Sequence, residues 1–253
     1  DPQQVDPDHL TAFMNESPNL RVGRYSVGRY FERLMLYWLT HIRRVEIVAE
    51  SLQIREGSRT IGEIDLLFYD ERRRLTHWEI AVKFYLHFPH DSPIGSQFIG
   101  PNAGDTFERK MGRMFEHQLP RSKTHFPDVD IRQAFVKGRI FYHPNNGSSS
   151  ELPTQMSPDH PRCVWIHSSE HQLISRADIL FYRMLHKPFW LSEETAQSSD
   201  TDLLSPTDLT RELTTHFAGD GRPLLISGLA TDGERLVETS RIFVVPDRWP
   251  EHG

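Results

Sequence analysis

Two predicted strands between Thr60 and Phe88 carry the residue types in this chain that are best suited to chemistry. Successive side chains of a strand point to opposite faces of a sheet, so odd and even positions separate. The odd positions carry these polar side chains: Glu63, Asp65, His77, Glu79, Lys83 and His87. The even positions of the second strand are all apolar: Trp78, Ile80, Val82, Phe84, Leu86 and Phe88. This division predicts one face that carries polar, titratable side chains and an opposite face that packs into the core.

Two acids on the polar face are expected to meet across the hairpin. A turn over residues 70–74 sets Asp65 opposite Glu79, and directly opposed side chains lie roughly 4.5–5.5 Å apart at Cβ, where like charges repel. Mg²⁺ relieves such repulsion, since it prefers oxygen ligands, usually one or two carboxylates with water and substrate phosphates. Lys83 would neutralise charge or orient an attacking water. The alternative is a solvated face with cross-strand ion pairs, each contributing about 0.2–1 kcal/mol.

The same residues resemble the motif of a known superfamily. Gly62-Glu-Ile-Asp65, followed by Glu79-Ile-Ala-Val-Lys83, is similar to the signature of the PD-(D/E)XK nuclease-like proteins. The resemblance implies these catalytic residues: Asp65, Glu79, Lys83 and Glu32, the last from the preceding helix. It further implies that the Asp and the Glu of the motif bind Mg²⁺ or Mn²⁺, and that the substrate is nucleic acid, with DNA favoured.

The spacing departs from that motif at one point. Lys83 follows Glu79 by four residues rather than two, and Ala81 occupies the usual acidic position. At about 3.3 Å per residue, the lysine Cα is displaced by roughly 6.6 Å. Glu63, two residues before Asp65 on the same face, is the expected replacement metal ligand. A catalytically inactive module of the same fold, which binds nucleic acid or a protein partner, is the alternative function.

A second resemblance extends over most of the chain. It rests on these segments: Gly28–Arg33, His77–Leu86, Gly100–Asn102 and Phe243–Pro250. Together they resemble the bacterial family catalogued as domain of unknown function 1853. This likeness implies a nuclease-like fold and assigns no activity.

The helix after the hairpin supplies the candidate substrate contacts. It is predicted to begin near Asp105 and to bury these side chains: Phe107, Met111, Met114 and Phe115. Gln118 falls on the same stripe, so its amide is expected to point toward the core or a site. We expect Lys110, Gln118 and Asn102 to contact the substrate.

The periodicity of the chain predicts an α/β fold. The resemblance to nuclease-like proteins implies a restriction-endonuclease-like core with a central mixed sheet flanked by helices, and a C-terminal α+β elaboration is expected to follow it. The predicted divisions are a lead-in over residues 1–21, the nuclease-like core over 22–143, a loop over 144–161 and the elaboration over 162–253. The predicted helices cover 27–43 and 206–217, with Ser26 and Ser205 as N-caps. The predicted strands cover 45–54, 131–142 and 162–167.

Composition limits the remaining functional classes. The net charge of −6 gives no global basic signature, so a nucleic-acid site would have to be a local basic strip. Cys163 is the single cysteine, which excludes an intrachain disulfide and favours a reducing compartment, with the cytoplasm expected. No apolar run approaches the length of a membrane span. The oligomeric state stays open.

Two common alternatives have weak support in the sequence. His77, His87 and His90 invite a zinc interpretation, but their spacing matches no common zinc pattern. No GxGxxG, Walker or GxSxG motif is present, which removes the commonest nucleotide-binding and serine-hydrolase interpretations.

Overall fold

A computed structural model describes residues 5–16, 26–89, 96–146, 152–219 and 221–251. Its α-helices are α1 Pro7–Asn15, α2 Val27–Tyr37, α3 Phe107–Gly112, α4 Leu119–His125 and α5 Pro206–Phe217. Its strands are β1 Glu46–Glu56, β2 Arg59–Tyr69, β3 Leu75–His87, β4 Phe98–Ile99, β5 Ile131–Tyr142, β6 Arg162–His167, β7 Phe181–Leu185, β8 Thr195–Ala196, β9 Leu224–Asp232 and β10 Arg235–Val245. Two π-helical segments, Trp38–Ile42 and Arg113–Gln118, and a 3₁₀ segment, Ser168–Ile174, complete the described elements.

The chain divides into two compact units. The first comprises residues 1–83 and 110–137, and the second comprises residues 84–109 and 138–253. In the first unit the strands follow the order β1-β2-β3-β5, and β1 and β3 both pair antiparallel with β2. In the second unit the order is β5-β6-β10-β9-β7. There β6 pairs parallel with β5 and β10, whereas β9 pairs antiparallel with β10 and β7, so the predicted α/β class with a mixed sheet is confirmed.

Helix α2 covers one face of the first unit's sheet. Ser26 caps it as predicted, since its hydroxyl accepts the amide of Arg29 at 3.3 Å. The helix and the π-helical segment after it bury Met35, Leu36 and Leu39 against residues of β2 and β3 that share the predicted apolar parity: Leu66, Phe68 and Ile80. The predicted helix thus exists, but its last turn, Trp38–Ile42, is π-helical.

The opposite face of β3 is also covered. His77 and Glu79 are both 0% exposed, and Ser122 of α4 lies against His77. The interpretation of this face as a solvated surface with exposed ion pairs is therefore wrong. Polar side chains on this face need internal partners, because a buried polar group without a hydrogen bond is costly.

The helical run from Phe107 to His125 changes its winding in the middle. Its central part, Arg113–Gln118, is π-helical, and a π turn takes in one more residue than an α turn. Met111 and Met114 are buried as predicted, but Phe115 is 45% exposed. The predicted apolar stripe fails at Phe115 because a 3.6-residue period does not hold through a π-helical turn.

In the second unit, α5 and the 3₁₀ segment pack on the sheet through one apolar cluster. Leu209 and Leu213 of α5 and Ile174 of the 3₁₀ segment pack with residues of β6, β7, β9 and β10: Ile166, Tyr182, Ile226, Ile242 and Val244. Segments 206–217 and 162–167, predicted from the sequence, form α5 and β6 as expected.

The N-cap of α5 gives a test of the local sequence signal. The Ser205 hydroxyl accepts the amide of Asp208 at 3.1 Å and donates to the Asp208 carboxylate at 2.7 Å. We expect Ser205→Ala to lower the free energy of unfolding by about 1 kcal/mol, because one helix N–H loses its partner. Urea unfolding followed by circular dichroism measures this, and Ser205→Asp, which keeps an acceptor, is the matched control. An unchanged midpoint in Ser205→Ala would show that the cap contributes nothing.

Membrane insertion through a helix has no support in the described part of the chain, where no helix is both long enough and apolar enough to cross a bilayer.

Candidate functional site

The hairpin of β2 and β3 has the register that the sequence predicts. Leu66 pairs with Trp78 and Tyr69 pairs with Leu75, which centres the turn on Arg72. Asp70 closes the turn, since its side chain accepts the amides of Arg72 and Arg74, each at 2.9 Å. The turn arginines make ion pairs at the surface, Arg74 with Asp70 and Arg73 with Glu46. They therefore support the turn.

Asp65 directly precedes Leu66, which pairs with Trp78 at the end of the β2–β3 ladder. Its Oδ2 accepts the backbone amide of Ile80 at 2.7 Å, so the carboxylate sits beside Glu79. Burial raises the pKa of Asp65 to about 7, and the neighbouring carboxylates of Glu79, Glu32 and Glu63 act in the same direction. The Ile80 amide opposes this rise only in part. Negative charge at this position is therefore poorly compensated.

Glu79 is held from both sides. Its Oε1 lies 2.9 Å from His77 Nε2, and its Oε2 accepts Gln118 Nε2 at 2.6 Å. A carboxylate accepts only, so in this contact His77 Nε2 carries the proton. Glu79 is a buried carboxylate with hydrogen bonds to both oxygens, which fixes its orientation.

Gln118 connects Glu79 to Lys110. Lys110 Nζ donates to Gln118 Oε1 at 3.2 Å, so the amide oxygen faces the ammonium and the amide nitrogen faces the carboxylate. Burial lowers the pKa of Lys110, and the neighbouring charge of Lys83 lowers it further, whereas Asp65 and Glu79 oppose the change. The expectation that the amide of Gln118 points toward a core or a site is confirmed. The π-helical segment ends at Gln118.

A second set of contacts supports His77 from the other side. His77 Nδ1 lies 2.9 Å from Ser122 Oγ, and Arg132 Nε donates to the same oxygen at 2.8 Å. Arg132 also donates to the carbonyl of Val129 at 2.9 Å. A continuous hydrogen-bonded chain, which we call the Glu79 relay, therefore consists of these residues: Lys110, Gln118, Glu79, His77, Ser122 and Arg132.

The remaining carboxylates lie around this relay. Burial raises the pKa of the Glu32 carboxyl; Arg29 opposes this, and Glu63 and Glu79 add to it. Glu63 is exposed and Lys83 is half-buried. The first unit thus brings together seven predicted site residues: Glu32, Glu63, Asp65, Glu79, Lys83, Lys110 and Gln118. Asn102, the eighth, belongs to the second unit, where it is exposed in the turn after β4.

Gly62 of the motif-like segment permits a close approach. A Cβ at Gly62 would lie 2.5 Å from Nη1 of Arg121, so the guanidinium of Arg121 rests on the bare backbone of β2. Such a contact excludes any larger residue unless Arg121 moves. Arg121 is therefore placed against β2 at position 62.

The chemistry of the donor set fits a hard divalent cation. Asp65, Glu79 and the backbone carbonyl of Ile80 offer oxygen ligands, and burial, together with the neighbouring carboxylates, raises the pKa of Asp65. In the described part of the chain, no three His, Cys, Asp or Glu side chains come together as a metal-binding group. Mg²⁺ commonly takes only one or two protein carboxylates, with water and phosphate as further ligands. Two carboxylates therefore meet the requirement.

Zinc is a poor fit to the histidines. Both ring nitrogens of His77 already have hydrogen-bonding partners, Glu79 and Ser122, so neither is left for a metal. His87 lies in the second unit, and His90 lies outside the described residues.

Three contributors to the site were absent from the sequence-based prediction. Parity placed His77 on the face of Glu79, but its pairing with a carboxylate two residues away carries no sequence signal of its own. Ser122 lies 45 residues from His77 along the chain, and Arg132 lies 10 residues from Ser122. No single-sequence pattern connects them.

Comparison with known proteins gives one match. The family model described as Domain of unknown function (DUF1853) matches residues 2–245. No curated protein and no solved structure matches the chain.

Proposed function

Since this chain belongs to the DUF1853 family, whose description assigns no activity, we propose from its site that it is a Mg²⁺-dependent nuclease with a PD-(D/E)XK-like core. The proposed reaction is hydrolysis of phosphodiester bonds in nucleic acid, with DNA favoured. Glu79 and Asp65 are the motif acids, and Lys83 is the motif lysine. The restriction-endonuclease-like character of the core is part of this proposal.

One observation carries the proposal. Asp65 and Glu79 converge at the end of the β2–β3 pairing, where Glu32 and Glu63 add further negative charge and the Asp65 carboxyl resists ionisation. Folding has concentrated like charges in a half-buried place, which is unfavourable without a bound cation. Such strained electrostatics are typical of functional sites.

The roles of the residues follow from their contacts. Asp65 and Glu79 would hold Mg²⁺, and Glu63 and Glu32 would add negative charge near it. The bound cation would supply a water of lowered pKa and stabilise charge on the phosphate. The Glu79 relay fixes the carboxylate of Glu79, so it needs no reorganisation when a cation arrives. Lys83 and Lys110 place positive charge beside the acids, where they would neutralise the developing charge on the phosphoryl oxygens.

Cleavage assays test this function directly. Wild type would be incubated with DNA and RNA oligonucleotides, single-stranded and duplex, in Mg²⁺ or Mn²⁺, beside Asp65→Ala and Lys83→Ala. We expect cleavage by wild type and a loss of at least about 100-fold in each variant, because each change removes transition-state charge stabilisation. Asp178→Ala, which removes an exposed acid of the second unit, is the matched control. Cleavage that survives in Asp65→Ala, or its absence in wild type with every substrate and both metals, would contradict the proposal.

A non-catalytic module of the same fold is the second candidate function. One observation in its favour is that Glu79 is completely buried and both of its carboxylate oxygens are hydrogen-bonded. The other is that Lys83 follows Glu79 by four residues, where the nuclease motif has two. Isothermal titration calorimetry with Mg²⁺ and Mn²⁺ separates the two candidates. Heat of binding that disappears in Asp65→Ala supports the enzyme, whereas oligonucleotide binding without any metal binding supports the module.

A further inference from the structure

The helical run Lys110–His125 is locally basic in a chain of net negative charge. It holds Lys110, Arg113, Arg121 and Lys123 against one acid, Glu116, whereas the whole chain carries a formal charge of −6. A local basic strip is the form that a nucleic-acid site takes in an acidic protein.

Three of its side chains, Arg113, His117 and Arg121, follow one another at intervals of four residues. A turn holds 3.6 residues in an α-helix and more in the π-helical segment Arg113–Gln118, so each interval is close to one turn and the three side chains follow one side of the run. Arg113 and His117 are exposed, and Arg121 is half-buried. We call these three residues the basic row.

The arginines of the basic row have no carboxylate partner in the described ranges. This contrasts with several arginines of the second unit that pair with carboxylates, such as Arg176 with Asp178 and Arg183 with Glu194. An unpaired guanidinium keeps its donors for an external anion, and its planar fork suits a phosphate.

The helical run that carries the basic row reaches the carboxylate cluster through Gln118, whose side chain donates to Glu79 at 2.6 Å. Arg113 is close enough to Lys110 to lower the pKa of that amine, together with the burial that dominates the change. Arg121 rests on the backbone of β2 at Gly62, three residues before Asp65. Eight residues of helix span roughly 12 Å, which matches about three to four nucleotides at 3.4 Å of axis per strand step.

We infer that the basic row is a track for the sugar–phosphate backbone of a polynucleotide, which it guides toward Asp65 and Glu79. The choice of a polynucleotide rests on the proposed function. The row is a binding surface, and its residues position the substrate through phosphate contacts. Binding by the basic row does not depend on nucleotide sequence. Contacts with phosphate position the protein along the nucleic acid, and they do not involve the base edges that differ between sequences.

Fluorescence anisotropy with labelled oligonucleotides of about 20 nucleotides, in EDTA, measures the track without cleavage. Affinity would be determined from ~50 to ~200 mM salt, because each phosphate contact contributes to the dependence of affinity on salt. We expect Arg113→Gln and Arg121→Gln each to lower that salt slope by about one, and the double variant by about two. Arg235→Gln, an exposed arginine of the second unit, is the matched control and should leave the slope unchanged.

Gly62→Ala is an independent test of the track, because it moves the guanidinium of Arg121 and keeps its charge. The added Cβ must displace the guanidinium of Arg121, so binding should weaken in the same direction as in Arg121→Gln. Urea unfolding of each variant identifies any loss of folding, and the exposed Arg113 keeps the test valid if the Arg121 variant is unstable.

The outcomes separate the track from the nuclease. Salt slopes in the Arg113 and Arg121 variants equal to wild type, or no oligonucleotide binding by wild type, would overturn the track even if cleavage is observed. A reduced slope in both variants supports the track even where no cleavage is detected, and in that case only the nuclease proposal fails.

Discussion

Asp65→Asn is expected to stabilise the protein in metal-free buffer at pH 8, by on the order of 2–4 kcal/mol, while it abolishes Mg²⁺ binding. The pKa of Asp65 is raised from 3.8 to about 7, and each pKa unit corresponds to about 1.4 kcal/mol of differential interaction. Asn keeps a side-chain oxygen that accepts the Ile80 amide. It removes the negative charge of Asp65, which the carboxylates of Glu79, Glu32 and Glu63 repel. A substitution that improves stability and removes function is the signature of a site under functional constraint.

The sign of the pH dependence follows from proton uptake. Between about pH 4 and pH 7 the folded state holds the Asp65 proton and the unfolded state has released it, so the folded state binds more protons. The contribution of Asp65 to stability is therefore complete below about pH 4, falls as the pH rises to about 7, and is lost above that. Glu32, whose pKa is also raised by burial, acts in the same direction.

Urea unfolding in EDTA at pH 5 and at pH 8 measures this effect. We expect the difference in unfolding free energy between Asp65→Asn and wild type to grow from pH 5 to pH 8. Added Mg²⁺ should then raise the stability of wild type alone, because a ligand that binds only the folded state stabilises it. Asp178→Asn is the control, since an ion pair with Arg176 lowers the pKa of that exposed carboxyl. A destabilised Asp65→Asn at pH 8 would show that the carboxylate is compensated inside the protein.

Local sequence patterns were sufficient for the hairpin. Alternation predicted the shared face of Leu66, Phe68 and Ile80, and the charged turn fixed the register, so the convergence of Asp65 and Glu79 was predictable. Alternation failed at Ile64, which packs with Leu67 in a separate cluster. The N-caps Ser26 and Ser205 were predictable for the same reason, because a cap acts within four residues of itself.

Tertiary packing determined the features that the sequence did not reveal. The polar face of β3 is buried because α4 covers it, and no local pattern states which helix covers which face. Phe115 lies outside because a π-helical turn shifts the phase of its helix, and π turns have no strong composition signal.

The Glu79 relay implies a second large effect, at His77. We expect His77→Leu to lower the free energy of unfolding by about 3–5 kcal/mol, because removing one partner of a buried pair leaves the other charge uncompensated. His77 and Glu79 are both 0% exposed, so water cannot replace the lost hydrogen bond without opening the structure. Urea unfolding followed by circular dichroism gives the value. His216→Leu, which removes a surface hydrogen bond to Arg222, should cost less than about 1 kcal/mol.

A double-mutant cycle identifies the pair as the cause. If His77 acts by holding Glu79, the double variant His77→Leu/Glu79→Leu should be less destabilised than the sum of the two single variants, since the orphaned charge is gone. Additive effects would assign His77 to packing alone. Coupling would mean that His77 stabilises the fold by holding Glu79 in one orientation. A fixed orientation favours cation binding, because a carboxylate that is already in place does not have to be ordered when the cation binds.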